Sequence, residues 1–198
     1  MKLYSLFKKI FRFQFRLMRW TVKGADNMPT SGPVILAINH VSIWDPVVAA
    51  CSVPRQVSFM AKEELFSIPI LGRIFSKLGA FPVKRGQGDM NAIRQSLTIL
   101  KEGGVLGLFP EGTRSKTGEI QKGMPGMVLL MEKSQASVVP VKVSGTSSLF
   151  TKGWGKISVV VGKPLTTQML KPPEGVEKRR EWIADRIMQA MVELPEAK

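Results

Sequence analysis

A chain of 198 residues can enclose one substantial core, and no Ser/Gly linker or repeat divides it. One domain over residues 23–198 is therefore expected, preceded by a distinct segment over residues 1–22. A hydrophobic fraction of 44% supports a folded body, and the single cysteine excludes an internal disulfide framework. The 29 lysines and arginines against 15 acids give a net charge of +14, which favours an anionic partner: nucleic acid, a lipid surface, an acidic carrier protein or a phosphorylated substrate.

Residues 1–20 carry Lys2, Lys8, Lys9, Arg12, Arg16 and Arg19 and no acid. On a helical wheel these cations share a sector roughly 120° wide. Leu3, Leu6, Phe7, Ile10, Phe11, Phe13, Leu17 and Met18 lie opposite, with Trp20 at the border. This is the pattern of a helix lying in a membrane interface with its basic side toward anionic lipid. The alternative is a helix that packs its Phe/Leu face on the domain and leaves the cations solvated. The charges are too frequent for a transmembrane span, and a secretory signal would need an uninterrupted apolar stretch with a cleavage site. A peripheral or monotopic place on the cytoplasmic face of a membrane is expected.

Further along, residues 34–39 form an apolar run after the turn signals Pro29, Ser31, Gly32 and Pro33. It reads as a buried strand that delivers Asn39-His40 at its C-terminal end. Asp45-Pro46 then suits the start of a helix. Residues 57–61, 80–83, 105–109, 138–143 and 157–161 are further strand candidates, nearly all apolar, as in strands covered on both faces. Helices are expected over 63–77, over 89–102 with Gly103-Gly104 as the stop, over 122–133 and over 174–193. The alternation predicts an α/β fold: a single layered domain with a mostly parallel or mixed sheet flanked by helices, plus the N-terminal amphipathic helix. His40 and Glu111 both fall at strand C-terminal ends, where open α/β sheets bind ligands.

His40 is the only histidine in the chain, and histidine is the residue type suited to proton transfer near neutrality. A strand end, a turn and a helix N-terminus can fold Asp45 back onto it, forming a base and its orienting carboxylate. Helix capping explains Asp45 equally well, and two carboxylate oxygens allow both duties. Glu111-Gly112-Thr113-Arg114 follows the run at 105–109. Gly112 allows close backbone approach, and Arg114 offers a fork for phosphate or carboxylate. Arg85, in Gly79-Ala80-Phe81-Pro82-Val83-Lys84-Arg85-Gly86, would suit the same phosphomonoester, and Lys62 at the end of 57–61 can join that anion site. Each of these cations taken alone also reads as a solvated surface charge.

Cys51 lacks flanking charge and reads as a small hydrophobe. No nucleophile elbow, P-loop, dinucleotide fingerprint or metal cluster is present, so direct attack by an acceptor hydroxyl is favoured and no cofactor or metal is expected. Nucleic acid is disfavoured because only one tyrosine and no aromatic binding block accompany the basic residues.

Asn39-His40 with Asp45, residues 79–85, Phe109 to Ser115 and Val139-Pro140-Val141 resemble, in order and spacing, the four blocks of the glycerolipid acyltransferase family. The likeness is to its 1-acylglycerol-3-phosphate O-acyltransferase (lysophosphatidate acyltransferase) branch and runs over residues 34–161. It implies transfer of a fatty acyl group from acyl-CoA or acyl carrier protein to the sn-2 hydroxyl of lysophosphatidic acid at a membrane, giving phosphatidic acid for phospholipid synthesis. By resemblance, His40 matches the general base and Asp45 its partner. Arg85, Glu111, Gly112, Thr113 and Arg114 match acceptor-binding positions. Where members often carry an aromatic residue before a Lys-x-Gly element, this chain has Ile120-Gln121-Lys122-Gly123. The same reaction on glycerol-3-phosphate or another lysophospholipid, and a noncatalytic anionic-lipid-binding module, are the alternatives.

Overall fold

The computed structural model describes residues 2–84, 88–149 and 156–196. An N-terminal helix α1 (Lys2–Leu17) leads into a short strand β1 (Thr21–Lys23). There follow β2 (Val34–Ile38), α2 (Asp45–Ser52), β3 (Val57–Lys62), α3 (Pro69–Lys77), β4 (Phe81–Val83) and α4 (Met90–Lys101). The chain continues through β5 (Val105–Leu108), α5 (Gly126–Ser134), β6 (Ser137–Ser144), β7 (Ser158–Val161) and α6 (Arg179–Val192).

The strands form one mixed sheet in the order β1-β7-β6-β2-β5-β3-β4. The five from β6 to β4 run parallel, β7 runs against β6, and β1 lies parallel to β7. This is the expected α/β layering. All five residues of β2 are buried, as a central strand covered on both faces requires. Val34, Leu36 and Ile38 face α2 and Phe15 of α1, while Ile35 and Ala37 face α4, α5 and α6. Cys51 is part of the first layer, and burial pushes its thiol up to about 11, so it is an inert core side chain.

Three helices begin later than the sequence pattern predicts. Residues 63–65 form only a 3-10 turn, because Pro69 drives Ile68 into an extended conformation (φ −78°, ψ 112°) and the helix starts afresh at Pro69. Pro125 likewise delays α5 to Gly126, and α6 begins at Arg179 beyond Pro172, Pro173 and Gly175. Strand β1, three residues without a buried one, went unpredicted.

The wheel of α1 divides into three sectors, not two. Tyr4, Phe11, Phe15 and Met18 turn toward the domain, with Phe15 wholly buried and the Tyr4 hydroxyl accepting the Val57 N–H at 3.1 Å. Lys8 shares this side. Its ammonium donates to the Val53 and Pro54 carbonyls at the C-terminal end of α2, a favourable place for a cation. Leu3, Leu6, Ile10, Phe13 and Leu17 form a separate exposed stripe roughly 80° wide, and Lys9, Arg12 and Arg16 a third, exposed and basic. The apolar face foreseen for lipid is thus shared between the core and the solvent. Among the described residues, no helix is long and apolar enough to cross a membrane.

Candidate active site

The site is assembled where β2 leaves the sheet. Past Ile38, the Asn39 side chain takes over from the backbone ladder: its Nδ2 donates to the Val143 carbonyl at 2.9 Å and its Oδ1 accepts the Val143 N–H at 2.7 Å. The chain is anchored to β6 at the residue before it turns.

His40 Nδ1 lies 2.8 Å from Asp45 Oδ2. The same oxygen accepts the Val41 and Ser42 N–H groups, each at 2.7 Å. With Asp45 at the first turn of α2, its carboxylate therefore reaches back over the preceding turn and does not cap its own helix. That backward reach is how a five-residue separation closes. Asp45 Oδ1 accepts the Thr146 hydroxyl at 2.5 Å, and the whole carboxylate is buried. An acceptor-only group surrounded by three donors on one oxygen fixes Nδ1 as the protonated ring nitrogen, leaving the Nε2 lone pair on the side of the ring away from Asp45. Nε2 takes no hydrogen bond from the described residues, and the His40 side chain retains 9% exposure, so the ring is not sealed in the interior.

The imidazole also stacks on Phe109, with centroids 4.0 Å apart at 24°, and Phe109 stacks on Phe59 at 6.1 Å. Phe59 fits only because residue 107 is glycine: a Cβ there would stand 2.2 Å from the ring. A chain of packed aromatics thus positions the histidine from β5 and β3.

The loop after β5 clasps His40 from both backbone sides. Glu111 Oε1 accepts the His40 N–H at 2.9 Å, and the Ser115 N–H donates to the His40 carbonyl at 2.7 Å. Glu111 Oε2 accepts the Gln121 N–H at 3.2 Å. Burial pushes the Glu111 carboxyl above its ordinary value, partly offset by the His40 and Gln121 N–H groups. Gly112 follows with φ +72°, the left-handed conformation that lets the loop turn, and its N–H bonds the Phe109 carbonyl at 3.0 Å.

His40 is therefore in direct contact with both Asp45, through its ring, and Glu111, through its backbone N–H. Thr113 and Arg114 are exposed on the same loop, and Lys62 is exposed at the C-terminal end of β3, with β5 between it and β2. Arg85 lies outside the described residues. Lys84, beside it, has its N–H held by Asp89 at 2.9 Å, the residue that also caps α4 through the Asn91 and Ala92 N–H groups. Thr146 and Phe109 are contacts that sequence reasoning missed. No local pattern marks a threonine 101 residues from its carboxylate.

Beside the site, an apolar cavity of about 450 Å³ runs between α1, α2, β3 and α3. Phe7, Phe11, Trp44, Phe59 and Leu71 help line it. Its volume is that of an ordinary ligand pocket, and its Phe59 wall is two stacked rings from His40. Among the described residues no group of His, Cys, Asp and Glu has the geometry to hold a metal.

The sequence profile described as Acyltransferase matches residues 19–144, from the end of α1 to the end of β6. The chain belongs to the acyltransferase family. Among curated relatives of this acyltransferase, the 1-acyl-sn-glycerol-3-phosphate acyltransferase of Bacillus subtilis is 34% identical over 148 residues, covering 73% of this chain and 72% of that protein. The chloroplastic 1-acyl-sn-glycerol-3-phosphate acyltransferase of Arabidopsis thaliana is 30% identical over 153 residues, again 73% of this chain but only 43% of the plant protein. The Streptococcus pneumoniae enzyme of the same name is 30% identical over 194 residues, 91% of this chain and 70% of its own. The fold is shared with the crystal structure of the 1-acyl-sn-glycerophosphate acyltransferase PlsC from Thermotoga maritima. The TM-score is 0.72 at 23% identity, over 98% of this acyltransferase and 81% of that chain.

Proposed function

We propose that the protein transfers a fatty acyl group from acyl-CoA or acyl carrier protein to the sn-2 hydroxyl of 1-acylglycerol-3-phosphate, giving phosphatidic acid for phospholipid synthesis. The observation that carries this reading is the buried His40–Asp45 pair, which engages Nδ1 and leaves Nε2 without a partner among the described residues. The names of the Bacillus and Streptococcus relatives support the acceptor. Nε2 takes the proton of the acceptor hydroxyl as its oxygen attacks the thioester carbonyl. Asp45 holds the imidazolium that forms. As the C–S bond of the tetrahedral adduct breaks, the same proton passes from Nε2 to the departing thiolate, and the donor leaves as a free thiol. Lys62, Arg85 and Arg114 supply positive charge for the acceptor phosphate, with Gly112 and Thr113 shaping the loop there. Glu111 acts by holding the His40 backbone. The cavity beside Phe59 accommodates an acyl chain.

The protein works at the cytoplasmic face of a membrane as a peripheral enzyme, through the exposed apolar and basic stripes of α1. The test is to offer labelled acyl-CoA and acyl carrier protein separately, each with lysophosphatidic acid and with glycerol-3-phosphate, and to identify products by mass. Phosphatidic acid from lysophosphatidic acid is expected. Product from glycerol-3-phosphate alone would reassign the acceptor, and no product from either would remove the proposed reaction.

A further inference from the structure

A polar cavity of about 320 Å³ lies at the end of β2 on its β6 side. Asn39 and Val41 line it, so its wall stands one residue from His40 in either direction along the chain. The loop after β5 and the turn after β6 supply the remaining walls. The bonds that hold the dyad also hold these walls: the Ser115 N–H on the His40 carbonyl, the Asn39 side chain on Val143, and Thr146 on Asp45.

The charge of this cavity is one-sided. Among the described residues Lys116 and Lys142 line it and no carboxylate does. Half-buried Lys142 donates to the Leu194 carbonyl at 3.1 Å and the Val192 carbonyl at 3.5 Å, at the C-terminal end of α6, which leaves one of its three N–H donors unused. Its ammonium is thus a fixed charge with no acid to neutralise it. Lys116 is exposed and forms no ion pair among the described residues, where the Ser144 and Ser147 hydroxyls on the wall also take no partner. These cations are separate from those assigned to the acceptor. Arg114 precedes, and Lys116 follows, the residue at which the loop crosses the end of β2, while Lys62 stands across β5.

We propose that this cavity binds the phosphodiester of a 4′-phosphopantetheine arm, the group that acyl-CoA and acyl carrier protein share, and that the arm passes round the end of β2 to bring its thioester to His40. The proposal rests on the acyl-transfer reading above and adds the place of the donor. Both substrates of that reaction carry phosphate, and two separate cationic regions flank the strand that presents the base. Hydroxyls beside a fixed ammonium suit a singly charged diester. The volume is at the small end of ligand cavities, room for the phosphate and the adjoining part of the arm, so a nucleotide or a carrier protein stays outside and either donor fits.

Titration calorimetry of the full chain with 4′-phosphopantetheine and with pantetheine tests the site apart from turnover. Removing the phosphate should weaken binding at least about tenfold. Lys116→Gln and Ser147→Asp, both at exposed positions, should weaken 4′-phosphopantetheine by a similar factor and leave pantetheine unaffected, and Lys116→Arg should restore binding. Equal affinity for the two ligands overturns the proposal. In steady-state assays each of the two weakening variants should raise KM for acyl-CoA and for acylated carrier protein alike, by about tenfold, with KM for lysophosphatidic acid unmoved. A rise for acyl-CoA alone sets these cations against the nucleotide phosphates, a rise for the carrier protein alone sets them against its acidic surface, and a rise for the acceptor gives the cavity to the other substrate; each overturns the shared site. Phosphate-dependent binding by a protein that transfers no acyl group upholds the cavity and removes the reaction, whereas transfer with unchanged donor KM in both variants removes the cavity and keeps the reaction.

Discussion

Thr146 donates its hydroxyl to Asp45 Oδ1 at 2.5 Å, holding from the turn after β6 the carboxylate that orients His40 from the start of α2. Both residues are fully buried. Without this bond one carboxylate oxygen would be stranded in a dry interior, a loss of about 1–3 kcal/mol. Thr146→Val keeps the shape and removes the donor. It should lower kcat by about tenfold to a hundredfold with little change in acceptor KM, because the dyad and not substrate binding is disturbed. Thr146→Ser should restore most of the rate. Steady-state kinetics of the three proteins, with circular dichroism to verify folding, check this.

Asp45→Asn separates charge from geometry. The amide oxygen can occupy the Oδ2 position and still accept from Val41, Ser42 and His40, while its NH2 turns to Thr146, whose hydroxyl can rotate to accept. The fold is therefore expected to persist. What disappears is the negative charge that stabilises the imidazolium, and acyl transfer should fall roughly a thousandfold. His40→Ala should remove transfer to the detection limit while still unfolding cooperatively, with a loss of about 1–3 kcal/mol for the buried contacts removed. Near-normal turnover by the purified His40→Ala protein would dismiss the imidazole as the base.

The His40–Asp45 approach was legible because it is local: a strand end, one turn and a proline-started helix leave few ways to arrange five residues. The layered architecture was legible for a similar reason, since buried strands and amphipathic helices each announce themselves by pattern. Helix starts at Pro69 and Pro125 were misplaced although the signal stood in the sequence. Apolar periodicity runs through a proline, but backbone sterics do not. The grip of Glu111 on the His40 N–H spans 71 residues, and that of Thr146 on Asp45 spans 101. Such contacts follow from the order of strands across the sheet, which sequence periodicity does not encode. The split face of α1 escaped for the same reason: Lys8 belongs to the basic sector of the wheel, yet the C-terminal carbonyls of α2 draw it to the domain.

Glu111→Gln probes the clasp. Glutamine offers one acceptor oxygen where two backbone N–H groups, from His40 and Gln121, need acceptors, so one buried bond is lost at about 1–3 kcal/mol. The pH dependence has a definite sign. Burial raises the folded-state pKa of Glu111, so the folded protein holds that proton more tightly than the unfolded chain. The associated stability is full below the unfolded value and is lost as pH rises through the raised folded value. Wild type should therefore exceed the variant most at acid pH, the gap narrowing from about pH 4 upward. Urea unfolding at a series of pH values measures it, and a gap that widens with pH would contradict the assigned cause.

Deleting α1 would be a poor test of attachment, since it would uncover the core around Phe15 and break the Tyr4 and Lys8 contacts. Leu6→Ser/Ile10→Ser/Phe13→Ser instead changes only exposed side chains. Stability should shift by about 1 kcal/mol or less, while co-sedimentation with phosphatidylglycerol vesicles should fall by at least about tenfold. Full binding by this variant would refute α1 as the attachment.

Gly107 gives the sharpest test of how His40 is positioned, because a side chain there would meet the Phe59 ring first. An alanine Cβ would press to 2.2 Å from the Phe59 ring, far inside van der Waals contact, and must displace it. Phe59 leans on Phe109, and Phe109 on the imidazole at 4.0 Å, so the strain is passed along the stack to His40. Gly107→Ala should cost about 1–3 kcal/mol of stability from overpacking and, separately, lower kcat. Adding Phe59→Leu removes the obstructing ring. If displacement of Phe59 is the cause, the double variant regains more stability than the sum of the single changes predicts, a coupling that a double-mutant cycle measures directly. Additive effects would show that Gly107 matters through its own backbone and not through the aromatic stack.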